Sequence, residues 1–422
     1  MRVLMISWEY PPVVVGGLGR HVHALATQLV AAGHEVVVLS RRPAGTDADT
    51  HPTLDGTVDG VRVLSVAEDP THLEFERDMV AWTLAMGHSL LRAALVRVCG
   101  SDPAGWRPDV VHAHDWLVAH PAIALADVLG VPLVATVHAT EAGRYNGWLS
   151  SPLSRQVHSA EWWLVNRADT VITCSTAMRD EVAELFEVDA AAIAVLHNGI
   201  TPRAWRAVPR RVAAARKRYA PRGEPLLLYF GRLEYEKGVQ DLVAALPRIR
   251  RAHPGTRVLV AGSGTAADLL VETARTHRVL RSVAFLGHLP DDELTALLAA
   301  ADAVVLPSRY EPFGIVALEA AAAGAPLVAS TAGGLGEVVV DGETGVTFPP
   351  GDVAALARAV GTVLADPRAA ARRARAARAR LGVDFDWAHI AAGTAGVYAR
   401  ARAGGPQELG RPKIPTGNVF GR

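Results

Sequence analysis

Short β-rich apolar runs alternating with longer helix-patterned stretches predict an α/β chain made of two doubly wound parallel sheets facing a central cleft. Two observations carry this. The strand runs fall into two series separated by an irregular, proline-punctuated stretch, and at 422 residues the chain exceeds the usual size of a single core. The first series comprises 3–7, 35–39, 61–66, 110–112, 133–137, 170–173 and 193–196, with patterned helices such as 18–32 and 79–98 between strands. The second comprises 226–230, 257–261, 283–286, 303–306 and 326–330. The join is predicted near His197-Asn198-Gly199-Ile200, where a turn dipeptide follows a strand, which divides the chain into 1–200 and 201–386. In doubly wound sheets ligands bind beyond the carboxyl ends of the strands, so the cleft between two such edges is the expected site. The tail from Ala403 onward, rich in glycine and proline, is expected to be disordered.

Composition narrows the classes. Half the residues are apolar, ample for two cores, and 43 basic residues balance 43 acidic ones. That balance implies no overall attraction to nucleic acid or to an anionic membrane. Cys99 and Cys174 are too few for a disulfide framework or a structural metal site, which fits a reducing cytoplasm. The apolar run 3–6 lies too early and is too short for a signal peptide, and no apolar run approaches the length needed to cross a bilayer. The basic, alanine-rich stretch 368–381 reads as a solvated helix face, with a nucleic-acid or membrane patch as the alternative. Asp47 and Asp49 imitate a metal-binding pair but lie in a polar loop. His112 and His114 have alternate-residue spacing on a strand, without an obvious third ligand.

Two motifs carry chemistry. Residues 311–319 read EPFGIVALE, with a Phe313-Gly314 step where a loop becomes a helix. Pro312 biases Glu311 away from helical geometry, so Glu311 stays in the loop while Gly314 opens the helix and Glu319 sits about one and a half turns in. Free amides at Gly314 and Ile315, with the positive end of the helix dipole, favour an anion there. The pattern can set one carboxylate at a reacting sugar, a second near a ribose and a helix N-terminus beside a diphosphate. Taken alone, it fits equally well a helix with two incidental glutamates. Upstream, 226–238 read LLLYFGRLEYEKG, a strand running into a loop with Arg232 and Lys237. The chain is rich in arginine and its lysines are Lys217, Lys237 and Lys413, so a lysine here points to a compact point charge. Two cations on such a loop can neutralise a leaving diphosphate without a metal; surface ion pairing is the alternative.

These residues resemble the retaining nucleotide-sugar glycosyltransferases of the family 4 type, which include glycogen synthases and bacterial mannosyltransferases. The resemblance spans nearly all of 1–402 and rests on EYPPVVVGGLG at 9–19, HAHDW at 112–116, TVHATEAG at 136–143, GRLEYEKG at 231–238 and EPFGIVALE at 311–319. More narrowly, AWTLAMGHSLLRA at 81–93 and HDWLVAHPAIALA at 114–126 are similar to the mycobacterial-type α-1,4-glucosyltransferases of methylglucose lipopolysaccharide synthesis.

The resemblance implies the GT-B fold, two Rossmann-like domains with the nucleotide sugar held by the second, and a C-terminal helix at 387–401 crossing back to the first. It implies that Glu311 meets O3 and O4 of the transferred sugar. It also places His138 at the primary hydroxyl, with the His138 carbonyl near C1. Backbone around Gly262 to Gly264 and Gly287 to Leu289 would read the donor base. On the residues themselves, Arg232, Lys237, Gly314 and Ile315 are assigned to the diphosphate, with Phe313 beside them, and Glu319 to the ribose hydroxyls, since a carboxylate accepts two hydrogen bonds from a vicinal diol. Gly16 and Gly17 form a glycine loop able to approach phosphates, or a plain tight turn. Glu9, Asp115 and Trp116 follow strands and are placed at the acceptor. Glycogen and starch synthases carry a lysine where this chain has Val14 and Val15. UDP-glucose is therefore the expected donor ahead of ADP-glucose, with an oligosaccharide or glucan acceptor, methylated or lipid-linked, and no metal cofactor. A GDP-mannose mannosyltransferase and a nucleotide-sugar epimerase are the competing readings.

Overall fold

The computed structural model describes residues 1–13, 16–42, 52–67, 72–100, 105–145 and 147–404. Val14, Val15, Asp47, Asp49 and the tail from residue 405 lie outside the described residues.

The first sheet contains β1 (Arg2–Ser7), β2 (Glu35–Arg41), β3 (Leu54–Val58), β4 (Val61–Val66), β5 (Val110–His114), β6 (Leu133–Val137), β7 (Thr170–Thr173) and β8 (Ile193–Val195). The second contains β9 (Leu226–Phe230), β10 (Arg257–Ala261), β11 (Val283–Gly287), β12 (Ala303–Leu306), β13 (Leu327–Ser330) and β14 (Val346–Phe348). Their orders are β3-β4-β2-β1-β5-β6-β7-β8 and β11-β10-β9-β12-β13-β14. All pairings are parallel except β3 with β4. In each sheet the strand order reverses direction beside the first strand, between β1 and β5 and between β9 and β12. Loops leaving the carboxyl ends at these two switch points form the cleft. Central strands such as β1, β5, β6 and β9 are buried almost throughout, which is why they read as continuous apolar runs.

The helix Phe75–Cys99 is long and apolar enough to cross a membrane by length and composition, contrary to the expectation that no segment reaches that length. Its Trp82, Met86, Leu90 and Val98 are buried in the core of the first lobe. The chain leaves the first lobe at Ile200 and returns beside it, where the Ile200 amide donates to the Phe385 carbonyl at 3.0 Å. Gly199 lies under the Trp387 indole; a Cβ there would fall 2.5 Å from the ring. The final helix, Trp387–Gly404, packs on Gly17–Ala31, and Tyr398 donates its hydroxyl proton to, or accepts one from, His112 Nδ1 at 2.7 Å. This helix continues through Ala403 and Gly404, past the expected start of the tail.

Candidate active site

At the second sheet, three loop tips are zipped together beyond the strands. Gly231 donates to the Ala261 carbonyl at 3.0 Å, Leu233 to Ser263 at 2.8 Å and Gly262 to Gly287 at 2.7 Å. Gly262 and Gly264 have φ of +138° and +159°, and a Cβ on either would collide with the carbonyl of Gly231 or Leu233. Close backbone approach therefore requires these glycines before any ligand arrives. Leu289 is half-buried in the loop after β11.

Lys237 closes the loop after β9 and its Nζ donates to Glu311 Oε2 at 3.0 Å, with both side chains mostly buried. Ser308 Oγ donates to the same oxygen at 3.1 Å. Arg309 braces the loops together, forking onto Asp241 at 2.9 and 2.7 Å and donating to the Tyr235 hydroxyl at 2.8 Å. Arg232 is half-exposed, with Glu236 3.7 Å away as its acidic neighbour. Gly314, at φ +100°, caps the helix Ile315–Ala323. Two other loops meet this helix start: a Cβ on Gly231 would lie 4.0 Å from Val316, and one on Gly17 would lie 2.9 Å from Ile315. The glycine loop of the first lobe, the Arg232 loop and the Gly314 helix start therefore converge, with the Lys237–Glu311 pair on the loop leading in.

Glu319 is almost fully buried one turn further along, and its Oε1 accepts from Arg20 Nη1 at 3.0 Å. Burial pushes this carboxyl up to about 7, opposed by the Arg20 guanidinium. Arg20 belongs to the first lobe, so this ion pair crosses the cleft; Asp291 flanks it at 3.9 Å.

Phe313 departs from expectation. Its ring is buried between His197 and Phe385, at centroid distances of 5.5 and 6.0 Å, so it packs the inter-lobe core rather than the donor. Glu9 Oε2 accepts the Gly16 amide at 3.0 Å, which braces the glycine loop.

At the first sheet, Asp115 follows β5 with φ +63°, a left-handed conformation that is costly for a residue with a Cβ. It is over-determined there: its amide donates to the Thr136 carbonyl at 3.0 Å and its Oδ1 accepts the His138 amide at 2.7 Å. Burial pushes the Asp115 carboxyl up to about 7, against the pull of Arg144. His138 directly follows β6; its Nε2 lies 3.2 Å from His114 Nδ1, and the His21 ring packs edge-on at 4.7 Å. Burial lowers His138 to about 4 and holds His21, His112 and His114 well below the ordinary histidine value, so the cluster is neutral. The alternate-residue pair thus divides its work: His112 bonds Tyr398 and Thr136 at 2.7 Å each, while His114 orients His138. His21, His114 and His138 form the group, among the described residues, spaced to hold a metal ion, with nitrogens within 4.8 Å of one another. Trp116 opens a short 3-10 turn beside Asp115, half-buried.

Several participants were missed in the sequence. Arg20 and His21 sit in the first turn of the helix after the glycine loop, and nothing local marks their partners. Tyr310, next to Glu311, reaches into the first lobe, where its hydroxyl donates to Glu181 at 2.8 Å and receives the Thr140 amide at 3.3 Å. Ser175 Oγ donates to the Pro312 carbonyl at 2.6 Å, and Glu337 accepts the amides of Thr176 and Ala177 at 3.1 and 2.9 Å.

Comparison with known proteins agrees with this architecture. Residues 213–380 match the family described as "Glycosyl transferases group 1", and 15–203 match "Glycosyltransferase Family 4". The chain is 60% identical over 417 residues, 98% of each chain, to a Mycobacterium tuberculosis protein named glycogen synthase. It belongs to the group 1/family 4 glycosyltransferases. This glycosyltransferase is also 33% identical to the α-maltose-1-phosphate synthase of Mycolicibacterium smegmatis, over 96% of this chain and all of that one. The solved sucrose-phosphate synthase of Thermosynechococcus elongatus superposes with a TM-score of 0.79 at 25% identity, covering 96% of this chain and 99% of the other. The transferase therefore has the GT-B fold and is a hexosyltransferase.

Proposed function

We propose that this glycosyltransferase moves glucose from UDP-glucose, with ADP-glucose as second donor, to an α-1,4-glucan or a methylglucose lipopolysaccharide precursor, with retention of configuration. The observation that carries the reading is the convergence of the Arg232 loop, the Gly314 helix start and the Gly16-Gly17 loop at one place, beside the Lys237–Glu311 pair. The name of the 60% identical relative supports glucan extension.

Breaking the bond between C1 and a diphosphate builds negative charge on the phosphate while the sugar becomes cationic. Arg232, Lys237 and the amides of Gly314 and Ile315 receive that charge from fixed positions, at no reorganisation cost during the reaction. Glu311 accepts from O3 and O4 of the glucose through Oε1, the oxygen not committed to Lys237 and Ser308, which keeps the sugar aligned with the cation pair. Glu319, held by Arg20, accepts from the ribose diol. Neutral His138 meets the primary hydroxyl without placing a positive charge beside an oxocarbenium-like sugar. The acceptor hydroxyl enters from the side of Asp115 and Trp116 and attacks the face that the diphosphate leaves, and its proton passes to the departing phosphate oxygen.

The test offers UDP-, ADP- and GDP-sugars with α-glucan and methylated glucan acceptors, and determines the product linkage. α-1,4 products from UDP-glucose are expected. Preference for GDP-mannose, β-linked products, or epimerisation of the donor without acceptor would each overturn the reading.

A further inference from the structure

Two aromatic side chains beside the cleft have no place in the site described so far. Trp148 is 72% exposed and Tyr145 57% exposed, and Trp148 is the most exposed aromatic residue among the described ones. Single exposed apolar residues are ordinary on a protein surface, so exposure alone decides nothing. Position does more. The two rings follow directly on the turn Glu141–Arg144, which begins three residues after His138. That turn is pressed against the catalytic loop of the second lobe: a Cβ on Gly143 would fall 2.5 Å from the Tyr310 ring, and Tyr310 adjoins Glu311. Arg144 in the same turn acts on the Asp115 carboxyl at the acceptor side.

The described backbone on either side of residue 146 is hydrogen-bonded. Gly147 donates to the Ala142 carbonyl at 2.8 Å and Trp148 to Tyr145 at 3.0 Å. Arg155 then ties down the next residues, donating to the carbonyls of Leu149 and Ser150 at 3.2 and 3.1 Å. Rings held on a hydrogen-bonded turn lose little entropy when a ligand covers them. Their neighbours Glu141, Arg144, Ser150 and Ser151 are polar. Two rings in such a setting are too small an apolar area for a stable protein interface or for insertion into a bilayer. A pyranose needs less: one aromatic face for its C–H groups and polar groups around the edge for its hydroxyls.

We propose that Tyr145 and Trp148 form an outer acceptor subsite, on which sugar rings of a glucan chain stack one or more units away from the reacting end. The proposal rests on the glucan-extension reading above and assigns to it a preference for long acceptors over short ones.

The experiment uses the full chain, with initial rates on maltose and on maltoheptaose under saturating donor, together with donor hydrolysis in the absence of acceptor. For Trp148→Ala, KM for maltoheptaose should rise about tenfold, the usual size of losing one aromatic anchor. KM for maltose, KM for the donor and acceptor-free hydrolysis should stay within about twofold, which also shows that the variant is folded. Trp148→Phe should recover most of the loss, and Tyr145→Ala should give a smaller rise in KM. An unchanged maltoheptaose KM in both alanine variants, or an equal rise for maltose, overturns the subsite while leaving glucan extension intact. If the wild-type chain extends no α-glucan, methylated or plain, both the subsite and the reading beneath it fall.

Discussion

The two sheet edges that face each other across the cleft are built from opposite materials. At the second sheet the side chains are charged and interlocked: Lys237 on Glu311, Arg309 on Asp241, Arg232 half-exposed above them. At the first sheet, four imidazoles are packed so deeply that burial keeps them neutral, with Asp115 pushed up to about 7 beside them. Charge is concentrated where an anion would depart, and is withheld where a sugar ring would sit. One lobe supplies field and the other supplies shape.

The sharpest way to break this contrast is to remove charge from the second edge. Lys237→Ala and Arg232→Ala are each expected to cost about a hundredfold to a thousandfold in kcat, the usual effect of losing one preorganised donor to a developing anion. Near-normal turnover with an unchanged melting temperature would show that the fixed charges are structural. A smaller effect is expected across the cleft. Glu319 must be ionised to accept from two hydroxyls, and its carboxyl already sits near 7, so donor affinity should fall as pH drops from 8 to 6. Arg20→Met removes the group that opposes this shift, and should raise donor KM about fivefold at pH 7 if the carboxyl moves from about 7 to about 8. Glu319→Gln should abolish the pH dependence, and a donor KM that ignores pH in wild type would sink the assignment.

Next comes the seam. Tyr310→Phe removes the hydroxyl shared by Glu181 and Thr140, and should lower unfolding free energy by about 1 to 3 kcal/mol, read by denaturant titration. The smallest effect lies in the first lobe. Glu161 is buried, with its carboxyl pushed up to about 8 from an ordinary 4.5, mainly by burial and with Asp115 adding. Between those values the native chain keeps a proton that the unfolded chain has lost, so this group's contribution to stability declines as pH rises. Glu161→Gln should therefore gain on wild type between pH 6 and 8.5; a constant difference across that range would contradict the assigned shift.

How much of this was legible in the sequence differs between the lobes for a physical reason. On the second, Lys237, Glu311, Gly314 and Glu319 lie on two short motifs whose local geometry dictates their placement, and strand β9 read as one apolar run. On the first, the decisive contacts are non-local: Arg20 meets a partner 299 residues away, and His112 one 286 residues away. Nothing in the pattern around Arg20 reveals that. Phe313 was misplaced because adjacency to Gly314 in sequence says nothing about which side of the backbone a ring takes. Strand β3, exposed along its whole length, lacks the apolar signal that marked the others, although Asp59-Gly60 after it is a hairpin turn signal that went unread. Strand β14 spans three residues, too few for any periodicity.

The two chain crossings beside Gly199 and Phe385 have a mechanical consequence. With both covalent connections between the lobes side by side and an indole wedged over a residue that lacks a Cβ, any opening of the enzyme must swivel about that spot. Motion is then smallest at the Trp387 indole and grows with distance from it.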